Sequence, residues 1–231
     1  MPRLHGYTKK ALIELYTKMV TARRSDEKMM ILLRQGKAFF LTSCAGHEVA
    51  QLAAAQNIKP GVDWAYVYYR DAAFVLGLGT TSREHLLSFL AKNDDPDSGG
   101  RQFPYHFSRK DLRIVSPSSA TGMQYLHAVG AGLAIKWEKS REVVYVSSGE
   151  GTTSQGDFHE ALNWASREKL PVIFHIQDNE YAISVHKSQQ TAGGSIFKMV
   201  GGYQNLARFD VDGTDYFETD LAFKNAVDRG R

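Results

Sequence analysis

The side chains best placed for chemistry stand at the ends of two apolar runs. Residues 143–146 (VVYV) lead through Ser147 and Ser148 into Gly149-Glu150-Gly151, and residues 172–176 (VIFHI) lead into Gln177-Asp178-Asn179-Glu180-Tyr181. Both runs are short and rich in β-branched and aromatic residues, which reads as strand. Between them Phe158, Ala161, Leu162 and Ala165 recur at helical spacing, with Asp157 and Glu160 in the first turn, Arg167 and Lys169 in the last, and Pro171 as a stop. Two strands joined by a crossover helix run parallel. Their C-terminal ends then bring Glu150 and Asn179 to one crevice, where ligands of open α/β sheets bind. The Glu150 carboxylate, the Asn179 amide oxygen and backbone carbonyls around Tyr181 suit Mg²⁺ completed by phosphate and water oxygens better than Zn²⁺. Gly149 and Gly151 admit a close backbone approach, and the helix N-terminus that follows offers unpaired N–H groups to an anion. The chemistry expected is capture of a metal-bound diphosphate.

The segments GEGTTSQGDFHEALNWA and QDNEYAIS resemble the thiamine-diphosphate motif, in the form found in the alpha-type first (decarboxylating) component of 2-oxo acid dehydrogenase complexes. The resemblance runs from about residue 37 to residue 227, through YYRDAA, GGRQFPYHFS (99–108), residues 116–132 and VDGTD (211–215). Gly-Glu-Gly and GRQFPYH lean towards the branched-chain (2-oxoisovalerate) side of the family, with the pyruvate form left open.

The resemblance implies an α/β fold with a doubly wound, mostly parallel sheet, the diphosphate-binding half of a thiamine-diphosphate enzyme. It implies a helical segment over 1–36 and the binding domain over 37–231, resembling a truncated alpha chain or the leading part of an alpha–beta fusion. The implied cofactors are thiamine diphosphate and Mg²⁺, and the implied reaction is oxidative decarboxylation of a 2-oxo acid with acyl transfer to a lipoyl group. The implied partners are a beta-type subunit or fused beta domain and a lipoyl-bearing acyltransferase core. Carried over position by position, Glu150, Asn179 and the Tyr181 carbonyl hold the metal. Tyr69, Arg70, Ser119, Thr121, Gly149, Glu150, Gly151, Thr152, Asn179, Tyr181, Ala182 and Ile183 face the cofactor. Arg70 suits a diphosphate because its planar fork binds phosphate in a bidentate way; without the resemblance it reads as an ion pair with Asp71.

His106, flanked by Tyr105 and Phe107, is either half-buried and hydrogen-bonded or a catalytic residue on the substrate side; the resemblance places its stretch in the active-site wall. Asp178 stands where the family has Asn, and Glu180 where Gly is common, so a carboxylate at 180 must turn outward from a diphosphate. Ser119-Ala120-Thr121 replaces Ser-Pro-Leu, which leaves open the potassium site of the branched-chain form. Two other readings are a catalytically silent subunit and a transketolase-like half-enzyme. A phosphate-binding kinase or hydrolase fits less well, because no G-x-x-x-x-G-K-[S/T] occurs and no lysine lies in the loop after Gly149.

These residues need a scaffold. The 231 residues, 43% hydrophobic and 23% charged, can bury one good core. A net charge of +3, with basic residues scattered, gives no footprint for nucleic acid. The single cysteine, Cys44, excludes a disulfide framework. No apolar run reaches the roughly 18 residues of a membrane span, and MPRLHGYTKK lacks a signal-peptide core, so a cytoplasmic location is expected. Helical spacing predicts helices over 8–33, with Gly36 as the stop, and over 45–55, with His47 near the start as a capping side chain or an entrance residue. A strand is predicted at 65–69 with a helix from Ala72, a small-residue helix at 124–137 for close packing, and a loop with a short helix over 186–202. Alternation predicts a strand at 205–211, and Asp215 with Glu218 a capping box opening the last helix.

Overall fold

The computed structural model describes residues 6–231, so the first five residues of the expected N-terminal segment lie outside it. In chain order it holds helix α1 (Lys9–Arg34), α2 (Glu48–Asn57), strand β1 (Trp64–Tyr66), α3 (Ala72–Leu78), α4 (Ser82–Phe89), α5 (Met123–Glu138) and β2 (Val144–Gly149). A 3₁₀ segment (Glu150–Ser154) precedes α6 (Gly156–Glu168) and β3 (Val172–Gln177). There follow the two-residue strands β4 (Tyr181–Ala182) and β5 (Val185–His186), then α7 (Lys187–Gln190), α8 (Ile196–Met199) and α9 (Tyr216–Gly230).

The main sheet has the order β1-β2-β3 with both pairings parallel. Val144 faces Val172 and Gly149 faces Gln177, so Glu150 and Asp178 leave the sheet side by side. Alternation along β2 feeds two cores. Val143 and Tyr145 pack with α1, α2, α3 and α9, and Phe74 stacks on Tyr145 with centroids 4.0 Å apart. Val144 and Val146 pack on the other face with α5 and α6, around Tyr125, Phe158 and Leu162. Helices on both faces make the sheet doubly wound, as the sequence implies.

Local signals account for most of the ends. Thr8 caps α1 by accepting from the Ala11 N–H at 3.1 Å, and Gly36, at φ +68°, takes the left-handed conformation that ends it. Asp215 caps α9 by accepting from the Phe217 and Glu218 N–H groups, while its own N–H donates to the Asp212 carbonyl and not to Glu218, so the reciprocal half of the expected box is not formed. The expected helix over 45–55 starts at Glu48, and His47 holds the cap position without a side-chain cap bond.

Two expectations are corrected. Residues 205–211 form no strand: alternation supplies two faces but no partner, and the segment lies across an open groove from the outer edge of β3. The small-residue face of α5 packs only in part. A Cβ on Gly132 would lie 2.6 Å from a Val172 methyl, whereas Gly130 and Ala134 are exposed with open space at Gly130.

Candidate functional site

The site forms where β1, β2 and β3 end together. Glu150 opens the 3₁₀ segment directly after β2 and is 1% exposed. Its Oε2 accepts from the Asn179 backbone N–H at 3.3 Å, while Oε1 is buried with no hydrogen-bond partner. Burial, above all, pushes the Glu150 carboxyl above its usual range; Asp178 adds to this and Arg70 opposes it. Asn179 forms an Asx turn, its Oδ1 accepting from the Tyr181 N–H at 3.1 Å. This turn sets the backbone at Tyr181 beside the Glu150 loop. A Cβ on Gly151 would lie 2.7 Å from the Ala182 Cβ, so glycine is what lets the two loops meet.

The residues named for the metal and the diphosphate therefore gather unevenly. Glu150, Asn179, Gly151 and Ala182 are in contact or near contact, and Gly149 ends β2 beside them. Thr152 is buried, a Cβ on Gly122 would lie 3.7 Å from its methyl group, and Thr121, the residue before Gly122, is exposed. Tyr181 and Ile183 are exposed, Ile183 at φ +57°. Among the described residues no group of three or more His, Cys, Asp or Glu side chains could hold a metal ion. A cation held here takes its remaining ligands from carbonyl, phosphate or water oxygens, the habit of Mg²⁺.

The Arg70 guanidinium donates to the Ser43 carbonyl at 2.6 Å and lies 5.6 Å from the centre of the Tyr69 ring. Among the described residues it forms no ion pair, so the expected alternative, a pair with Asp71, is not formed. Asp71 points into the protein instead. It accepts from the Ser147 hydroxyl, from Gln177 Nε2 at 2.7 Å and from the Tyr68 N–H at 3.3 Å. Gln177 in turn accepts from Gln51 Nε2 at 2.9 Å, and the same Gln51 nitrogen donates to the Arg70 carbonyl at 2.9 Å. This buried relay ties α2, the head of α3, β2 and β3 together beneath Arg70. Burial pushes Asp71 up to about 7 despite these donors. His47, beside this relay, is held below its ordinary value by burial first and by the Arg70 charge second.

His106 and Ser119 also meet. Nδ1 of His106 lies 2.9 Å from the Phe103 carbonyl, which fixes the proton there, so Nε2 accepts from the Ser119 hydroxyl at 2.6 Å. Lys187 lies outside the residues read from the sequence. Its ammonium sits 2.9 Å from Asp178 Oδ2 and 3.2 Å from Glu180 Oε1, and these two acids pull its pKa up. It occupies both carboxylates that depart from the resembled pattern. Gln51 and Ser43 were equally unmarked, because single polar residues inside or beside apolar runs carry no periodic signal; Tyr68 and Gln177 stand inside YYRDAA and QDNEYAIS but were given no role.

The family described as dehydrogenase E1 component matches residues 16–231. The chain is 43% identical over 226 residues to the 2-oxoisovalerate dehydrogenase subunit alpha of Bacillus subtilis, covering 98% of this chain and 68% of that protein. It is 34% identical over 222 residues to the pyruvate dehydrogenase E1 component subunit alpha of Staphylococcus aureus, covering 96% and 57%. It is also 34% identical over 218 residues to the 3-methyl-2-oxobutanoate dehydrogenase subunit alpha of Mycobacterium tuberculosis, covering 94% and 56%. The chain thus spans between 56% and 68% of the length of these relatives.

Proposed function

The chain belongs to the dehydrogenase E1 component family, and on that premise we propose that it is the alpha-type part of a 2-oxo acid dehydrogenase that holds magnesium-bound thiamine diphosphate at the ends of β1, β2 and β3. The observation that carries this reading is the Glu150 carboxylate, shut away from water with one oxygen unpaired and the other on Asn179. A buried carboxylate oxygen without a partner is costly, and a cation removes that cost. The acceptor set is the right one for a hard cation, and the Gly151 cradle gives the diphosphate its approach.

When bound, the cofactor supplies the carbanion chemistry of decarboxylation, and the protein supplies position and electrostatics. Glu150, Asn179 and the Tyr181 carbonyl hold the metal. Arg70, already aimed by the Ser43 carbonyl, offers its remaining N–H groups to phosphate oxygens. Tyr69, Gly149, Gly151, Thr152, Thr121, Ala182 and Ile183 line the cofactor. Ser119 faces the cofactor and is hydrogen-bonded to His106 on the substrate side, with Nε2 of His106 held as an acceptor. Lys187 keeps two carboxylates off the anion. The substrate is a 2-oxo acid, a branched-chain one in keeping with the 2-oxoisovalerate relative; the acyl group passes to a lipoyl group of an acyltransferase core, and a beta-type subunit completes the site.

Steady-state carbon dioxide release by the complete enzyme, compared between pyruvate and branched-chain 2-oxo acids, tests this. A higher kcat/KM for the branched acids is expected; turnover of neither class contradicts the reading, and a preference for pyruvate contradicts its substrate.

A further inference from the structure

We infer that Asp26, on α1, is a positioning residue for this site: it anchors the Ser43 carbonyl that aims the Arg70 guanidinium, an inference that rests on the function proposed above. The segment bearing that carbonyl has little else to fix it. Residues 38–43 are irregular, and among the described residues no backbone-to-backbone hydrogen bond reaches them. Asp26 supplies what the backbone does not. It is 5% exposed, and its Oδ2 accepts from the Ser43 hydroxyl at 2.6 Å and from the Cys44 N–H at 2.7 Å. Ser43 Oγ in turn accepts from the Ala45 N–H at 3.0 Å.

The Cys44 N–H and the Ser43 carbonyl belong to one peptide unit. A trans peptide is planar, with its N–H and C=O pointing in opposite directions. The carboxylate that holds the N–H on one side therefore sets the carbonyl on the other, where Arg70 donates to it at 2.6 Å. A charged acceptor on the N–H also polarises the peptide and strengthens its carbonyl as an acceptor. The anchor itself is firm. Arg23 of α1 lies 2.6 Å from Glu48 of α2, and the second Glu48 oxygen accepts from the Gly46 N–H at 2.7 Å, so two acids pin the chain on either side of Ala45. The Arg70 guanidinium, left without a carboxylate by the inward turn of Asp71, takes its bearing from this carbonyl. A long side chain ordered before the anion arrives spares binding that entropy cost.

A double-mutant cycle in the complete enzyme tests this, by calorimetric titration of wild type, Asp26→Ala, Arg70→Ala and the double variant with magnesium thiamine diphosphate. Asp26→Ala weakens binding about three- to tenfold, the cost of leaving one long side chain to be ordered on binding, and has no further effect once Arg70 is replaced. Asp26→Asn, which keeps an acceptor oxygen in place, recovers most of the loss. Where Asp26→Ala lowers the thermal midpoint too far for titration, Ser43→Ala, which leaves the Cys44 anchor, carries the same cycle. An equal loss with and without Arg70 overturns the inference, since that is the signature of a general structural role. Unchanged affinity in Asp26→Ala, wild-type affinity in Arg70→Ala, or no recovery in Asp26→Asn overturns it as well, and each of these leaves the proposed function standing. Wild type that does not bind magnesium thiamine diphosphate overturns both.

Discussion

Asp71 shows how much one residue's orientation decides. Next to an arginine in sequence, it reads as that arginine's counter-ion, yet its carboxylate is turned into the sheet towards Ser147 and Gln177, and this leaves Arg70 free of a carboxylate partner at the mouth of the site. Its pKa is raised from 3.8 to about 7, chiefly by burial. The folded state then holds a proton that the unfolded chain gives up at lower pH, so this group's contribution to stability is full below about pH 4 and is lost as pH rises towards 7. Buried His175, pushed down to about 3, acts in the opposite sense over an overlapping range, so the wild-type curve alone does not isolate Asp71. The difference in thermal midpoint between wild type and Asp71→Asn does. It should shift steadily against wild type from pH 4 to 7, and a constant difference would rule out titration of Asp71 in that range. Glu150, Asn179 and the glycines were legible in the sequence because their role follows from standing just past a strand. Asp71, Gln51 and Gln177 were not, because their partners come from four separate elements and no spacing encodes that meeting.

The β4–β5 hairpin carries the features by which the chain departs from the resembled pattern. Glu180 sits at φ +70°, a conformation that favours glycine, so the glutamate costs about 1 kcal/mol of backbone strain. Its carboxylate is drawn to Lys187 together with that of Asp178, and the Lys187 N–H donates to the Glu180 carbonyl at 2.8 Å. On the proposed function, this clamp is what neutralises the two carboxylates near the anion. The groups are partly exposed, so each pair contributes no more than about 1 kcal/mol. Lys187→Met should therefore weaken binding of magnesium thiamine diphosphate about fivefold, more at low salt than at high, and adding Asp178→Asn and Glu180→Gln should restore it. Unchanged affinity in the single variant, or no rescue in the triple, would remove the clamp from the account. At this scale the helices and the βαβ unit were readable because periodicity and caps are local. The strand expected at 205–211 failed because a strand needs a neighbour, and its alternating residues have none beside them.

Across the whole molecule, two cores on opposite faces of a parallel sheet hold three strand ends in register, and the buried relay from Gln51 through Gln177 to Asp71 locks them to α2 and α3. A groove of about 1080 Å³ opens between the outer edge of β3, residues 205–214 and α9. No described helix is long and apolar enough to cross a membrane. What this architecture builds is one polar crevice with a buried carboxylate that lacks a counter-charge, and the central claim is that a magnesium-bound diphosphate supplies it. The most direct test is calorimetric titration of the complete enzyme with thiamine diphosphate, with and without Mg²⁺, in wild type and Glu150→Ala. The account predicts metal-dependent binding in wild type and its loss in the variant. It also predicts that the thermal midpoint of the cofactor-free variant does not fall, because an unpaired buried carboxylate costs about 1–3 kcal/mol or more. Wild-type affinity retained in Glu150→Ala, or wild-type binding indifferent to Mg²⁺, would contradict it.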